Sequence, residues 1–295
     1  MKRPNFFIIG APKCGTTSLA NWLGQHPQVF ISPHKEPHYF NTDDSFRFIH
    51  EEAHYLELFH KASQEHVAIG EASTWYLFSQ TAVPQIERFT NQTARYVVCL
   101  RNPVEMVQAV HAQNIFSGNE TVTDFSEAWA LQEARRNGES LPPLSTTGSH
   151  LQYRDACALG AQIARLLKTV PRDRVHVVLL DDIKSDPHAV YDSVLDFLGV
   201  PQAEIPIFLK ARNVAHRPRS LLVARMLSLG GRAKRKIGLR KGLGILNRIR
   251  QMNKIEQPRA PLSSGMITTL RKNFEPEIVR LEALLNRDLQ HWREP

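Results

Sequence analysis

The hydrophobic positions of this chain form short uninterrupted runs, and residues with helical spacing follow the first two of them. Residues 6–9, 96–100 and 175–180 are apolar runs of a length typical of strands buried on both faces. Residues 16–24 and the residues from Val104 onward instead repeat their apolar positions with the period of a helix. This alternation predicts parallel βαβ units, in which helices cover both faces of a sheet.

Four further segments fit the same plan. Residues 29–31 are predicted to form another strand, and residues 153–168, 189–198 and 276–289 are predicted to form helices. The sequence therefore predicts a three-layer α/β/α fold with a central parallel sheet, in a single domain of residues 1–295. In such a sheet, ligands bind at the carboxyl ends of the strands.

The composition is that of an ordinary globular protein. With 42% hydrophobic and 22% charged residues, the 295-residue chain can bury a core, which excludes a disordered protein. The three cysteines are far apart, which argues against a disulfide framework and favours a reducing compartment. No apolar run approaches the roughly 18 residues of a membrane helix, and residues 6–9 are too short for the core of a signal peptide. We therefore expect a cytoplasmic protein without a transmembrane segment.

The positive charge is concentrated in one segment. The net charge of the chain is +8, whereas residues 210–260 hold 15 basic residues and one acidic residue, a net charge of +14. The rest of the chain is therefore mildly acidic, at −6. A segment of this kind is typical of a solvated helix face, of a surface that binds nucleic acid or an anionic membrane, or of a wall around a polyanionic small molecule. The charge pattern alone does not decide between these three interpretations of residues 210–260.

The loop after the first predicted strand has the pattern of a phosphate-binding loop. Gly10 and Gly15 permit a tight turn whose backbone N–H groups point inward, and the helix beginning near Thr16 adds its N-terminal dipole. Thr16 and Thr17 supply hydroxyl groups, and Lys13 supplies a positive charge. The residues predict a cradle for a phosphate group.

This loop departs from the GxxxxGK[ST] pattern of nucleoside triphosphatases. Lys13 precedes the second glycine, and Cys14 follows Lys13 where a hydroxyl group that binds Mg²⁺ is needed. Residues 177–181 imitate a second NTPase motif, but a strand that ends in a turn is the favoured explanation. The loop predicts phosphate recognition without a required metal ion, with a P-loop kinase or NTPase as the alternative.

Together these motifs resemble a known family. Residues 12–17 resemble the 5′-phosphosulfate-binding loop of the sulfotransferases that use 3′-phosphoadenosine 5′-phosphosulfate (PAPS). Residues 35–40 and 70–76 resemble the Lys-Glu-x-His-Phe-Phe and Gly-Glu-x-Ser-Pro-x-Tyr segments of the heparan-sulfate-type branch of carbohydrate sulfotransferases. Three later segments resemble later motifs of the family, namely residues 101–105, 197–199 and 288–292.

The resemblance implies how the donor would be held, with 3′-phosphoadenosine 5′-phosphate (PAP) as product and no metal ion. Lys13 would neutralise the leaving group, and Arg101 would bind the 3′-phosphate, although Ala109 stands where the family usually has a serine. A basic loop that closes over the nucleotide would contribute Arg217 and Arg219. The 5′-phosphate would be held by Pro12, Lys13, Cys14, Gly15, Thr16, Thr17 and Ser18. We also expect Cys14, in a loop, to be more exposed than Cys99, in a buried strand.

Glu36 is the candidate general base, because a carboxylate near the phosphosulfate loop can accept the proton of the acceptor. The alternative is that Lys35 and Glu36 form only a solvated charge pair. His38 is the rival base, and the resemblance assigns it instead to a substrate or sulfate contact. Asn41 stands where the family often has an acid.

The sequence thus predicts a sulfotransferase that acts on a hydroxyl or amine of a glycan, a glycolipid or a small natural product. O- and N-sulfation, the acceptor itself and the oligomeric state are left open. We expect variable loops, residues 41–66 and 113–150, to form the acceptor pocket. A non-enzymatic binder of nucleic acid or anionic lipid through residues 210–260 is the other alternative. No nucleic-acid partner is expected, and peripheral membrane contact through residues 232–241 is left open.

Overall fold

The computed structural model describes most of the chain outside the basic segment. The described residues are 2–45, 47–143, 145, 147–202, 207–209, 216–220, 223–224, 226–227, 230, 248–249, 252–256 and 260–294. The prediction for residues 232–241 lies outside them.

The chain divides into two compact units. The first unit consists of Met1–Met106, Ala158–Asn213 and Glu275–Pro295, and the second consists of Val107–Cys157 and Val214–Phe274. The interpretation of residues 1–295 as one domain stays a prediction.

The first unit contains a five-stranded parallel sheet in the order β2-β3-β1-β4-β5. Residues of β1, β3 and β4 are almost all fully buried, which explains the continuous apolar runs of β1 and β4. The strands are β1 (Phe6–Ile8), β2 (Val29–Ile31), β3 (Ala68–Ala72), β4 (Arg95–Leu100) and β5 (Val175–Leu179).

Helices flank this sheet and confirm the α/β prediction. The connections β1–α1–β2 and β3–α3–β4 run in opposite directions along the sheet, and right-handed crossovers therefore place α1 and α3 on opposite faces. Helix α1 packs with α10, and α3 packs with α8. The helices are α1 (Thr16–Leu23), α2 (Glu52–Glu57), α3 (Ala82–Phe89), α4 (Pro103–Ser117), α5 (Phe125–Ala130), α6 (Gln132–Arg136), α7 (Tyr153–Ala156), α8 (Leu159–Thr169), α9 (Leu180–Ser185), α10 (Pro187–Leu198) and α11 (Ser264–Leu285).

The strand order defines where a ligand can enter. After β1 the chain leads to β2 at one edge of the sheet, and after β4 it leads to β5 at the other edge. A crevice therefore opens at the carboxyl ends of β1 and β4. The loop with Lys13 follows β1, and Arg101 follows β4.

Two helix predictions were wrong in their boundaries. Residues 153–168 form two helices, α7 and α8, rather than one. The closing helix begins at Ser264 and ends at Leu285, with Pro276 inside it. Burial of Leu270 and Phe274 continues the apolar stripe before the proline, and this packing outweighs the preference of proline for the first turn.

The second unit is organised around a buried ion pair. The side chains of Glu120 and Arg135 are both 0% exposed and form two hydrogen bonds, of 2.7 and 3.0 Å. Tyr153 Oη donates a further hydrogen bond to Glu120 at 2.8 Å. Breaking a buried pair leaves an uncompensated charge, so we expect removal of either partner alone to destabilise the unit. The unit also contains the antiparallel strands β6 (His216–Pro218) and β7 (Lys254–Glu256).

Candidate active site

The loop after β1 keeps its attachment to β4 beyond the end of the strand. Ile9 N donates to Val97 O at 3.0 Å, and Ala11 N donates to Cys99 O at 2.7 Å. The backbone then turns through two left-handed positions, with φ of 67° at Lys13 and 93° at Gly15. These two turns carry the chain from the end of β1 into helix α1.

Gly15 cannot be replaced without distortion, for two independent reasons. Its φ lies in the region that favours glycine. A Cβ at this position would also lie 2.9 Å from Ile183 Cδ1. Gly15 is the N-cap of α1 and has no capping side chain, so the first turn of the helix, from Thr16, presents its amide groups to an anion.

The expectation that Cys14 is more exposed than Cys99 is wrong. Both cysteines are 0% exposed. Cys14 Sγ lies 3.5 Å from Pro12 O and 3.8 Å from Met106 Sδ, because the left-handed turn at Lys13 directs the following side chain into the core. The Cys14 amide donates to Ala11 O at 3.3 Å and so helps to shape the loop.

The segment after β2 forms a turn, residues 36–38, that we call the Glu36 turn. Glu36 and His38 both have left-handed backbones, with φ of 59° and 48°. Glu36 N donates to Ala72 O at 2.9 Å, and His38 N donates to Ser73 Oγ at 3.3 Å. The end of β3 therefore holds both strained residues in place.

The carboxylate of Glu36 is bound from several sides. Lys35 Nζ lies 2.5 Å from Oε1, Thr74 Oγ1 donates to Oε1 at 3.4 Å, and His38 Nε2 lies 3.8 Å from Oε2. Burial raises the pKa of Glu36, but the neighbouring His38 ring and the charge of Lys35 outweigh it and hold that pKa far below the ordinary range. Glu36 is therefore a carboxylate at neutral pH, and its ion pair with Lys35 is formed.

His38 is fully buried. Its ring stacks on Phe48, with centroids 5.8 Å apart, and meets Tyr76 edge-on at 6.1 Å. The tight packing fixes the imidazole on one side of the Glu36 carboxylate. Asn41, the residue three positions further on, is also buried and donates from Nδ2 to Asp44 at 3.3 Å.

Arg101 is the first residue after β4 and is bound to its own helix. Its Nε and Nη2 donate to Glu105 Oε2 at 3.1 and 2.7 Å, and its side chain is 14% exposed. Ala109 is fully buried further along α4. His111, two residues after Ala109 in the same helix, has its Nε2 2.8 Å from Val122 O.

Arg217 and Arg219 belong to the second unit. Arg217 lies in β6, paired with Ile255 of β7. Arg219 follows this strand, is exposed, and donates from its amide to Asn253 O at 2.7 Å.

The segment that imitates a second NTPase motif is the end of a strand. Asp181 lies in the first turn of α9 directly after β5. Its Oδ2 accepts a hydrogen bond from Trp292 Nε1 at 2.7 Å, and Lys184 Nζ lies 3.5 Å from its Oδ1. The aspartate thus binds the C-terminal segment.

Glu71 and Ser73 lie in the segment 70–76, whose family resemblance predicts no role for either residue. Glu71 is fully buried in β3, and Ser73 Oγ donates to it at 2.7 Å. The sequence feature that could have identified them is a carboxyl group within residues 68–72, which are otherwise small and apolar.

The parallel sheet and its flanking helices define an α/β protein, a class in which ligands bind at the carboxyl ends of the strands. The family model "Sulfotransferase domain" matches residues 3–215, more than two thirds of the chain. The chain therefore belongs to the sulfotransferase family.

Individual relatives agree with this assignment. Human carbohydrate sulfotransferase 15 is 30% identical over 165 residues, which cover 42% of this chain and 29% of that protein. The membrane-associated sulfotransferase kil1 of Dictyostelium discoideum is 30% identical over 154 residues, covering 52% of this chain and 28% of that protein. The chain thus spans less than a third of the length of these relatives. A solved sulfotransferase from Alicyclobacillus acidocaldarius matches over 100% of both chains, with a TM-score of 0.74 and 27% identity.

The cytoplasmic location stays a prediction. Within the described part of the chain, no helix combines the length and the hydrophobicity that crossing a membrane requires.

Proposed function

We propose that this enzyme transfers a sulfuryl group from PAPS to a hydroxyl or amine of a glycan, a glycolipid or a small natural product. The observation that carries the proposal is the order of the strand ends in the sheet. Ser73 and Arg101 directly follow β3 and β4, and Lys13 and Glu36 lie in the loops that follow β1 and β2, each five residues after its strand. A base, a phosphate loop and an arginine therefore follow one edge of the sheet, as an in-line transfer requires.

In the proposed reaction, Glu36 accepts the proton of the acceptor as its oxygen or nitrogen attacks the sulfur atom. The new bond to sulfur forms while the bond from sulfur to the bridging oxygen of the 5′-phosphate breaks, and PAP leaves with that electron pair. Lys13 and the amide groups at the start of α1 stabilise the charge that develops on the phosphate. Because Lys35 lowers the basicity of Glu36, the acceptor must displace or weaken that ion pair.

The two alternatives have less support. The kinase and NTPase pattern places a lysine directly after the second glycine, whereas this chain has Thr16 there and its lysine, Lys13, before Gly15. A non-enzymatic binder that uses residues 210–260 would leave the strand-end arrangement unexplained. The names of the carbohydrate relatives favour a glycan acceptor.

The test is thermal unfolding with PAP, with AMP, and with ATP plus magnesium. A ligand at about 100 times its Kd adds roughly 2.7 kcal/mol to the free energy of unfolding. For a chain of this size that is a rise in Tm on the order of 5 °C. We expect PAP to raise Tm in the presence of EDTA and AMP to have little effect. A rise only with ATP and magnesium would instead support the kinase alternative.

Arg101→Ala is expected to weaken PAP binding about 10- to 100-fold, since a charged hydrogen bond contributes about 1.5–3 kcal/mol. AMP, which lacks the 3′-phosphate, should bind both proteins equally. The matched variant Glu105→Gln removes the carboxylate that holds Arg101 and should leave PAP affinity the same or higher. Isothermal titration calorimetry measures the affinity of each protein for PAP and for AMP. Unchanged PAP affinity in Arg101→Ala would remove this arginine from the proposed 3′-phosphate site.

A further inference from the structure

Glu71 is a buried carboxyl group that the proposed reaction does not use. It is fully buried in β3, and its oxygens accept hydrogen bonds from Tyr55 Oη at 3.2 Å and from Ser73 Oγ at 2.7 Å. Burying a carboxyl group is unfavourable, so packing alone would favour an apolar residue at this position.

The hydrogen bond from Ser73 to Glu71 connects this carboxyl group to the Glu36 turn. Ser73 gives its hydroxyl hydrogen to Glu71, so a lone pair on Oγ remains to accept the amide of His38 at 3.3 Å. Between them, Ala72 O accepts the amide of Glu36 at 2.9 Å. Three consecutive residues, 71–73, thus hold both ends of a turn whose backbone is strained.

We propose that Glu71 is a positioning residue, which fixes the Glu36 turn through Ser73 and makes Glu36 a stronger base through its own negative charge. The inference rests on the proposed function, since it assigns a supporting group to the proposed base.

The surroundings of Glu71 allow its charge to change near neutral pH. Burial raises the pKa of Glu71 to about 7, against the opposing effect of the hydrogen bonds from Ser73, Tyr76 and Tyr55, and the charge of Glu36 raises it further. Coupling between two carboxyl groups is mutual, so an ionised Glu71 also raises the pKa of Glu36. The titratable groups that face Glu71 are Tyr55 from α2, Tyr76 from the segment after β3, and Glu36, with His38 beside it, from the loop after β2. Strand β1 places Phe7 opposite.

The direction of the pH effect follows from these signs. Below about pH 7, Glu71 is protonated and neutral and gives Glu36 no electrostatic support. Above that pH it is ionised, and Glu36 becomes the stronger base that catalysis needs. The kcat of the wild-type enzyme should therefore rise with pH through this range.

Glu71→Gln should remove this pH-dependent rise. At pH 8 we expect its kcat to be lower by about tenfold, the change that one pKa unit in base strength represents. The KM for PAPS should change little, because the hydrogen bonds of Glu71 go to Tyr55 and Ser73 and so lead to the Glu36 turn. The measurement is kcat and KM for PAPS between pH 5.5 and 9, with identical pH profiles in the two proteins contradicting the proposal.

Tyr55→Phe gives a second test that does not depend on the folding of Glu71→Gln. Loss of the Tyr55 hydroxyl removes a donor to the Glu71 carboxylate, so the pKa of Glu71 and the rise in kcat should move to higher pH. Tyr96→Phe is the matched control, because Tyr96 Oη donates to the buried Glu87 at 2.8 Å in helix α3 and not to the turn. A purely structural role would give the same shape of pH profile in both tyrosine variants, and that result would overturn the proposal.

Stability against pH separates this inference from the proposed function. Because the folded-state pKa of Glu71 is raised, its contribution to stability is complete below the ordinary carboxyl pKa and is lost as pH rises through about 7. The Tm of the wild-type protein should therefore fall relative to that of Glu71→Gln between pH 5 and 8. A constant difference would show that Glu71 does not titrate there. Absence of sulfate transfer from PAPS in the wild-type protein, with this Tm effect present, would refute the proposed function and with it the role of Glu71 in supporting a base.

Discussion

Replacing Glu36 by glutamine is expected to lower kcat by about 10²- to 10⁴-fold, the range that general-base catalysis contributes. Glutamine has nearly the same shape but cannot accept the proton of the acceptor. The Glu36 turn is held through its backbone, by Ala72 O and Ser73 Oγ, so the loss of charge should leave the turn folded. PAP should therefore stabilise the variant against heat as it does the wild-type enzyme.

Lys35→Gln is the matched control, because it distinguishes a Glu36 that acts as the general base from a Glu36 that only forms a solvated charge pair with Lys35. If the two side chains merely pair with each other, removing either one should have the same small effect, of about 0–1 kcal/mol in stability and little in rate. If Glu36 is the base, Lys35→Gln releases its carboxylate from the ion pair and raises its pKa toward the ordinary range. Turnover by Glu36→Gln at a rate near that of Lys35→Gln would show that the base is another group.

Most strands of the sheet could be predicted from the sequence, because each is an apolar run with a clear end. Strand β3 was missed, since Gly70 and Glu71 interrupt the apolar pattern of residues 68–72. The structure explains Gly70 by close packing, as a Cβ there would lie 2.5 Å from the ring of Phe6 in β1. A neighbouring strand imposes this requirement, and the local sequence of β3 contains no sign of it.

The residues of the candidate site could be predicted from the sequence, but their backbone conformations could not. Glycine at position 15 indicates a left-handed turn, whereas Lys13 and Glu36 adopt left-handed backbones that their residue types disfavour, and His38 adopts one that is uncommon outside glycine. Each such conformation costs about 1–3 kcal/mol and persists only where the surrounding structure holds it. That support comes from distant segments, as the Ser73 hydroxyl does for His38. The burial of Cys14 could not be foreseen for the same reason, since it follows from the backbone of Lys13.

Lys13 determines both the shape of the loop after β1, through its strained backbone, and the charge of that loop, through its side chain. An unstrained backbone at this position would not produce the turn that brings α1 to the end of β1. The residue therefore has two separable properties, a left-handed backbone and a positive side chain. The proposed reaction needs the side chain, whereas folding of the loop needs only the backbone.

Lys13→Gly should separate these properties, with kcat lowered by about 10²- to 10³-fold, the effect of losing one group that stabilises developing charge. Glycine adopts a left-handed backbone readily, so the loop should keep its shape and the Tm without ligand should stay the same or rise. Lys13→Arg, which keeps the charge, is the matched control and should recover a substantial part of the rate.

The relevant measurement is kcat together with KM for PAPS. Because the charge on the bridging oxygen develops only as the bond to sulfur breaks, the loss should be mainly in kcat. A raised KM with unchanged kcat would mean instead that Lys13 binds the donor equally in the ground state and the transition state, and it would remove this lysine from the proposed stabilisation of the leaving group.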